Sequence, residues 1–184
     1  AKLIEKEGYE VIYSDTDSCF VVTGKNPKKV GKALEKKINT IFDSKITKEY
    51  GVTSYLELEF EKVYTKFMMP RLRGSEKGAK KRYAGMVDGK LDIVGLEAVR
   101  GDWTPLAKKF QIALLERVFA GKEVRSFVSS FVKDLRAGKF DDLLVYKKSL
   151  RKPLDKYTKI TPVHVKAARK LKDFSGKVVY YVYT

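Results

Sequence analysis

Sulfur and imidazole are almost missing from this sequence of 184 residues. One cysteine, Cys19, allows no internal disulfide, and with one histidine, His164, it is too little for a Cys/His zinc site. Such cysteine usage fits a reducing, cytoplasmic setting. Cys19 reads as a small apolar residue on a buried strand. His164 has no acid or Cys at ligand spacing, so it reads as a helix-surface or packing residue, not a base. No run approaches the roughly 18 apolar residues of a membrane span, and no signal peptide opens the chain. No membrane partner is therefore expected. Repeats and low-complexity stretches are absent too. Hydrophobic residues make up 43% of the chain, ample for a core, which excludes a disordered tail.

Positive charge is present in excess and unevenly placed. The net charge is +16. Residues 1–61 hold 10 Lys/Arg and 11 Asp/Glu, a net −1, and residues 62–184 hold 29 and 12, a net +17. A near-neutral first third with acidic clusters and a strongly basic remainder suggest a metal-binding part and a polyanion-binding part. Charge alone would also suit a ribosomal or membrane-surface protein.

The acidic cluster that stands out is Tyr13-Ser14-Asp15-Thr16-Asp17-Ser18. It lies between two apolar, β-prone runs, Tyr9 to Tyr13 and Cys19 to Thr23, which predicts a hairpin with two carboxylates at its tip. Asp residues at i and i+2 repel each other. Either turn chemistry or a divalent metal, held by hard carboxylate oxygens, accounts for the pair. Before it, Ala1 to Gly8 reads as the last turn of a helix. After it, Asn26 as N-cap and Pro27 at the first position start a helix. Its stripe is Val30, Leu34, Ile38, Ile41 and Phe42, and Gly51 stops it. Ser54 to Met69 is predicted as a strand, with Leu56, Leu58 and Phe60 alternating with Glu57, Glu59 and Glu61 on the other face.

Met69 to Ala79 reads as an exposed loop. Lys80-Lys81-Arg82-Tyr83 then leads into a hairpin turned by Asp88-Gly89. Gly95-Leu96-Glu97-Ala98-Val99-Arg100-Gly101-Asp102-Trp103 follows, and Thr104-Pro105 starts a helix. Leu106, Phe110, Leu114 and Val118 mark that helix. Val124, Phe127, Val128, Phe131 and Leu135 mark a second one, closed by Gly138. Val145 to Leu154 is a basic strand with Tyr157 beyond it. Thr161-Pro162 starts a helix with a basic face of Lys166, Arg169, Lys170 and Lys172. Lys177 to Thr184 is a final strand.

Taken together these strings resemble a known family. Y-x-D-T-D-S resembles motif C of family B DNA polymerases, the turn of the palm hairpin. Leu56 to Tyr64 resembles the acidic palm strand of the archaeal branch. Lys80 to Tyr83 resembles K-K-[KR]-Y at the palm–thumb junction. Residues 95–103 resemble G-L-E-x-V-R-R-D-W, with Gly101 where a second Arg is usual. Residues 147–157 resemble the thumb motif x-K-S-L-x-K-P-L-x-x-Y. Five motifs in the family's order cover nearly the whole chain.

The resemblance implies an α+β fold: residues 1–68 as the C-terminal part of a palm, and 69–184 as the palm–thumb junction and a mainly helical thumb. It implies a DNA-directed DNA polymerase activity using two Mg2+ ions about 4 Å apart. Asp17 would ligate directly, and Asp15 would ligate or stand close by. Glu59 and Glu61 would be auxiliary acids, and Ser18 would support the pair. Lys81, Arg82 and Tyr83 would hold the primer terminus, and Lys80 beside them would bind DNA. Arg100, Lys148, Ser149 and Lys152 would grip the duplex, and Asp102 would orient a basic side chain of Lys80–Tyr83.

The implied partners are primer–template DNA and an incoming dNTP; a sliding clamp is left open. The implied place is the cytoplasm, at the nucleoid. The family's D-x-x-S-L-Y-P-S and K-x-x-x-N-S-x-Y-G strings do not occur here. The chain alone is therefore expected not to polymerise. The metal site would be shared with a large polymerase subunit carrying those motifs, and a separately encoded small subunit is preferred to an excised fragment. The competing readings are a non-catalytic clamp on duplex DNA, which the intact Asp15 and Asp17 argue against, and a basic RNA-binding protein, which leaves the acidic first third unexplained.

Overall fold

The computed structural model describes residues 1–72, 74, 75 and 78–183. The expected loop at Met69–Ala79 and the expected strand at Lys177–Thr184 include Arg73, Glu76, Lys77 and Thr184, which lie outside the described residues. The described chain is α+β, with three small antiparallel sheets. It divides into two compact units: residues 1–65 with 87–90, and residues 66–86 with 91–184.

The first unit is a hairpin on a long helix. A short helix α1 (Lys2–Lys6) leads through Gly8 into β1 (Glu10–Asp15), which pairs with β2 (Ser18–Val22). Helix α2 (Pro27–Tyr50) follows. Its buried residues Leu34 and Ile38 meet Ile4, and Val11, Cys19 and Val21 of the hairpin pack on this cluster. The register explains how Val11 gets there. Tyr13 stands opposite Phe20 and Val11 opposite Val21, with a bulge at Ile12 between them. Without that extra residue, strict alternation would put Val11 on the same face as Tyr13.

Two expectations for this unit need correcting. Asn26 does not cap α2 with its side chain; it turns the chain by taking a left-handed conformation, φ 57°. The predicted strand from Ser54 to Met69 shrinks to β3 (Lys66–Met68), which belongs to the second unit. Residues 53–64 lie in no strand or helix. They are held by α2 instead. Asn39 Nδ2 donates to the Leu58 carbonyl at 2.9 Å, and Asn39 Oδ1 accepts from the Leu58 N–H at 2.8 Å. Glu35 accepts from the Phe60 N–H at 2.7 Å. Gly31 makes room for the Phe60 ring, which a Cβ there would overlap. Side chains on a helix thus supply what a neighbouring strand would otherwise give.

β3 pairs with β4 (Tyr83–Val87), which pairs with β5 (Lys90–Val94). The β4–β5 turn is Asp88-Gly89 with both φ positive, 47° and 77°, the requirement of a type I′ hairpin. Thr104 Oγ1 caps α3 (Pro105–Phe119), accepting from the Ala107 N–H at 3.3 Å. Leu115 and Phe119 bury against Ala84 and Leu96. The buried line is Leu106, Leu115 and Phe119, and Val118, expected in the stripe, is exposed. Helix α4 (Arg125–Arg136) buries nothing fully; Phe127 and Phe131 stack with Phe110 of α3 and Phe140.

The last sheet pairs β6 (Tyr146–Ser149) with β7 (Val178–Tyr181). Between them in sequence comes α5 (Val163–Arg169), whose Val165 is fully buried, as is Val179 of β7. Arg169 is not part of a free basic face. Its guanidinium donates to the carbonyls of Leu154 and Tyr157, each at 3.0 Å.

Candidate functional site

Asp15 ends β1 and Asp17 sits in the two-residue turn that leads to β2. Asp15 is opposite Ser18, and Tyr13 is opposite Phe20. Residues two apart on a strand, and residues directly opposite, share a face. Tyr13, Asp15, Ser18 and Phe20 therefore line one face, and Val11, Cys19 and Val21 line the face that packs on α2. The Asp15 face is aromatic: Tyr13 and Phe20 lie 5.3 Å apart by ring centroid, and Phe20 stacks on Tyr64 at 5.8 Å. Lys62 Nζ lies 5.5 Å from the Tyr64 ring centre. Asp17 is exposed at the tip.

Glu59 and Glu61 do not complete a cluster with this pair. Among the described residues no three His, Cys, Asp or Glu side chains gather into a group that could hold a metal. The expectation that a strand would carry them beside the hairpin fails because residues 53–64 are tied to α2 rather than paired with β1 or β2. Glu57, Glu59 and Glu61 are exposed, and Glu61 pairs with Lys62 at 3.3 Å.

The basic motif has a distinctive backbone. Lys81 takes φ 59°, a left-handed conformation uncommon outside glycine. Its carbonyl fits against Gly95, where a Cβ would overlap it. Lys80 is exposed and Tyr83 opens β4, its ring 5.5 Å from that of Phe67. Arg82 pairs with Glu97 through Nη2. Sequence reasoning gave the orienting role to Asp102. Asp102 is instead engaged by Arg100, in two hydrogen bonds of 2.9 and 2.7 Å. That Arg100 clamp holds the Asp102 carboxyl down at about 2. Arg100 is raised by the same contact. Glu97, two residues after Gly95, is not marked for the orienting role by anything in the sequence.

The family model for DNA polymerase family B matches residues 2–184. This chain belongs to DNA polymerase family B. It is 43% identical to DNA polymerase II of Escherichia coli over 91% of this chain and 22% of that protein. It is 37% identical to DNA polymerase 2 of Aeropyrum pernix, over 88% of this chain and 18% of that one. In fold it is similar to the family B DNA polymerase of Pyrobaculum calidifontis, with a TM-score of 0.58 and 32% identity, over 97% of this chain and 21% of that one. The likeness is thus bacterial as well as archaeal. The chain spans about a fifth of the length of these relatives.

Within a family B polymerase chain, the carboxylates of Asp15 and Asp17 are donors of the right kind for magnesium. That ion takes one or two carboxylates and fills its remaining positions with waters and substrate phosphates. Two acids therefore fit a site that other groups complete. On β6, neighbouring residues part company: Lys147 and Ser149 are exposed, while Tyr146 and Lys148 are half-buried. Tyr146 stacks on Tyr181 at 5.3 Å, and Lys147 lies over the exposed ring of Tyr180 at 5.7 Å. Lys148 and Ser149 consequently point to opposite faces of the strand. Lys152 lies over the ring of Tyr157 at 4.7 Å, and the Tyr157 hydroxyl accepts from the Arg151 N–H at 3.1 Å.

No helix among the described residues is long and apolar enough to cross a membrane. His164 is only half-buried; burial first, then the charges of Lys148 and Arg151, push it below its ordinary value.

Proposed function

We propose that this chain is a catalytic portion of a DNA-directed DNA polymerase: one unit supplies metal-holding carboxylates, and the other grips primer–template duplex. The carrying observation is the pair Asp15 and Asp17 at a hairpin tip, with Asp15 on the face turned away from α2, in a chain that belongs to family B. Residues 1–68 correspond in this reading to part of the palm, and residues 69–184 to the palm–thumb junction and thumb.

The reaction is attack of a primer 3′-hydroxyl on the α-phosphate of a dNTP, with pyrophosphate leaving. Magnesium, when bound, stabilises charge on the attacking and leaving oxygens. Asp17, exposed, and Asp15, half-buried, would hold it, with Ser18 directly across from Asp15. Glu59 and Glu61, exposed on a separate segment, are given no ligand role. Lys80, Lys81, Arg82 and Tyr83 would contact the duplex near the primer end. Arg100 and Lys152 would add backbone contacts, and on β6 the outward Lys147 and Ser149 would do so in preference to Lys148. Lys and Arg are suited to phosphates and minor-groove acceptors.

The chain spans about a fifth of its relatives, and two motifs that the family resemblance calls for do not occur in it. Activity would therefore need the rest of a polymerase, in a longer chain or in a large partner subunit. The test is primer extension with Mg2+ and dNTPs by this chain alone, by a mixture with a polymerase large chain carrying the two missing motifs, and by that mixture with Asp17→Ala. Extension confined to the mixture and lost with Asp17→Ala is expected. Duplex binding without extension in a mixture that assembles would favour a non-catalytic clamp.

A further inference from the structure

We infer that Glu97 and Gln111 are positioning residues for Arg82, a device that sets the guanidinium of the Lys80–Tyr83 motif before DNA arrives. The inference rests on the duplex-grip reading above and adds to it a part of α3 that carries no basic motif.

The argument starts at Gln111. Its Nε2 donates to Glu97 Oε2 at 2.8 Å, and its Oε1 accepts from the Ala98 N–H at 2.6 Å. The two contacts decide the amide's orientation, because a carboxylate only accepts and a backbone N–H only donates. The other carboxylate oxygen, Glu97 Oε1, takes Arg82 Nη2. Both oxygens of Glu97 are thus committed, one to a helix and one to the motif. The Gln111 hydrogen bond is the largest cause holding the Glu97 carboxyl below its usual range, so Glu97 stays charged opposite Arg82.

Arg82 is held from its backbone as well. The residue before it, Lys81, sits at φ 59°, and its carbonyl lies against Gly95. Arg82 Nε is buried and has no hydrogen-bond partner among the described residues, yet the side chain as a whole is 41% exposed. The root of the guanidinium therefore points inward and its remaining donors reach solvent. A flexible basic side chain loses rotamer freedom when a phosphate immobilises it. One already fixed loses less, and more of the contact energy remains for binding. The arrangement also accounts for an acid so close to a polyanion-binding motif: Glu97 weakens the local attraction and in return fixes its direction.

The test is duplex binding by the whole chain, with a labelled primer–template duplex followed by fluorescence anisotropy over a range of salt. Arg82→Met, Gln111→Met and the double variant form a cycle. Arg82→Met is expected to weaken binding several-fold and to make the log–log salt slope shallower by about 0.9, one phosphate contact. Gln111→Met is expected to do the same in part. In the Arg82→Met background it should add nothing. A merely structural role for Gln111 would instead lower the melting temperature and leave the salt slope at its wild-type value. If Gln111→Met does not melt cooperatively, Gln111→Ala, which also removes both hydrogen bonds and leaves the charge at the motif unchanged, replaces it in the cycle with the same expectation. A wild-type affinity and slope for the Gln111 variant, beside a weakened Arg82→Met, would overturn this inference and leave the duplex grip standing. Binding that ignores both salt and Arg82→Met would overturn the duplex grip, and this inference with it.

Discussion

Single side chains in this protein act through the partner that reaches them, and pH is the way to see it. Arg100 clamps Asp102 with two hydrogen bonds and holds its carboxyl at about 2. An unfolded Asp titrates near about 3.9, so the clamp's stabilisation is complete above about pH 4 and is lost as pH falls through about 2. Asp102→Asn should flatten the acid limb of stability between about pH 4 and 2, measured by urea unfolding. An unchanged limb would show that the clamp contributes nothing. His164 has the same sign for a different reason: burial and the charges of Lys148 and Arg151 disfavour its cation. Its contribution is complete above about 6.5, and acidification below that value draws protons to the unfolded chain and costs stability. His164→Gln should remove that loss as pH falls below about 6.5, measured by urea unfolding.

At the scale of elements, the segment 53–64 teaches most. Its expected alternation holds only in part: Leu58 and Phe60 are half-buried between exposed Glu57, Glu59 and Glu61, but Leu56 is exposed as well, and among the described residues no strand pairs with the segment. Asn39 satisfies the Leu58 N–H and carbonyl in place of a strand. Replacing it by Leu leaves two part-buried backbone groups unpaired, at about 1–3 kcal/mol. Asn39→Leu should therefore lower stability by about that much and speed amide exchange at Leu58. Slow exchange at Leu58 in the variant would show that something else holds the segment. The β6 strand gives a second element-scale expectation. Lys147 shares the exposed face with Ser149 and the ring of Tyr180, and Lys148 is half-buried on the other face. Lys147→Ala should weaken duplex binding more than Lys148→Ala does, and the reverse order would place the contact surface on the Lys148 side.

At the scale of the whole molecule, charge is divided unevenly along the chain. Residues 1–61 carry a net −1 and hold Asp15 and Asp17, and residues 62–184 carry +17. Duplex affinity should accordingly fall steeply with salt, by about 0.9 log units per log salt for each phosphate neutralised. Asp17→Ala should leave that slope alone while abolishing extension in the complemented mixture. A changed slope would mean that the hairpin tip also neutralises or repels DNA phosphate in the absence of chemistry.

Local features were legible in the sequence because their causes are local. Asp88-Gly89 demanded a type I′ turn, Thr104-Pro105 a helix start, Gly51 a helix stop, and apolar runs on both sides of Asp15 and Asp17 a hairpin. Each depends on residues within a turn or two of one another, so spacing alone carries them. What only the tertiary structure decided depends on which distant groups meet. Glu97 rather than Asp102 takes Arg82, Arg169 ties two carbonyls instead of lining a free face, and among the described residues Glu59 and Glu61 join the hairpin acids in no group that could hold a metal. A lysine, an arginine or a carboxylate satisfies its charge with whichever partner packing brings within about 4 Å, and no period in the sequence records that choice.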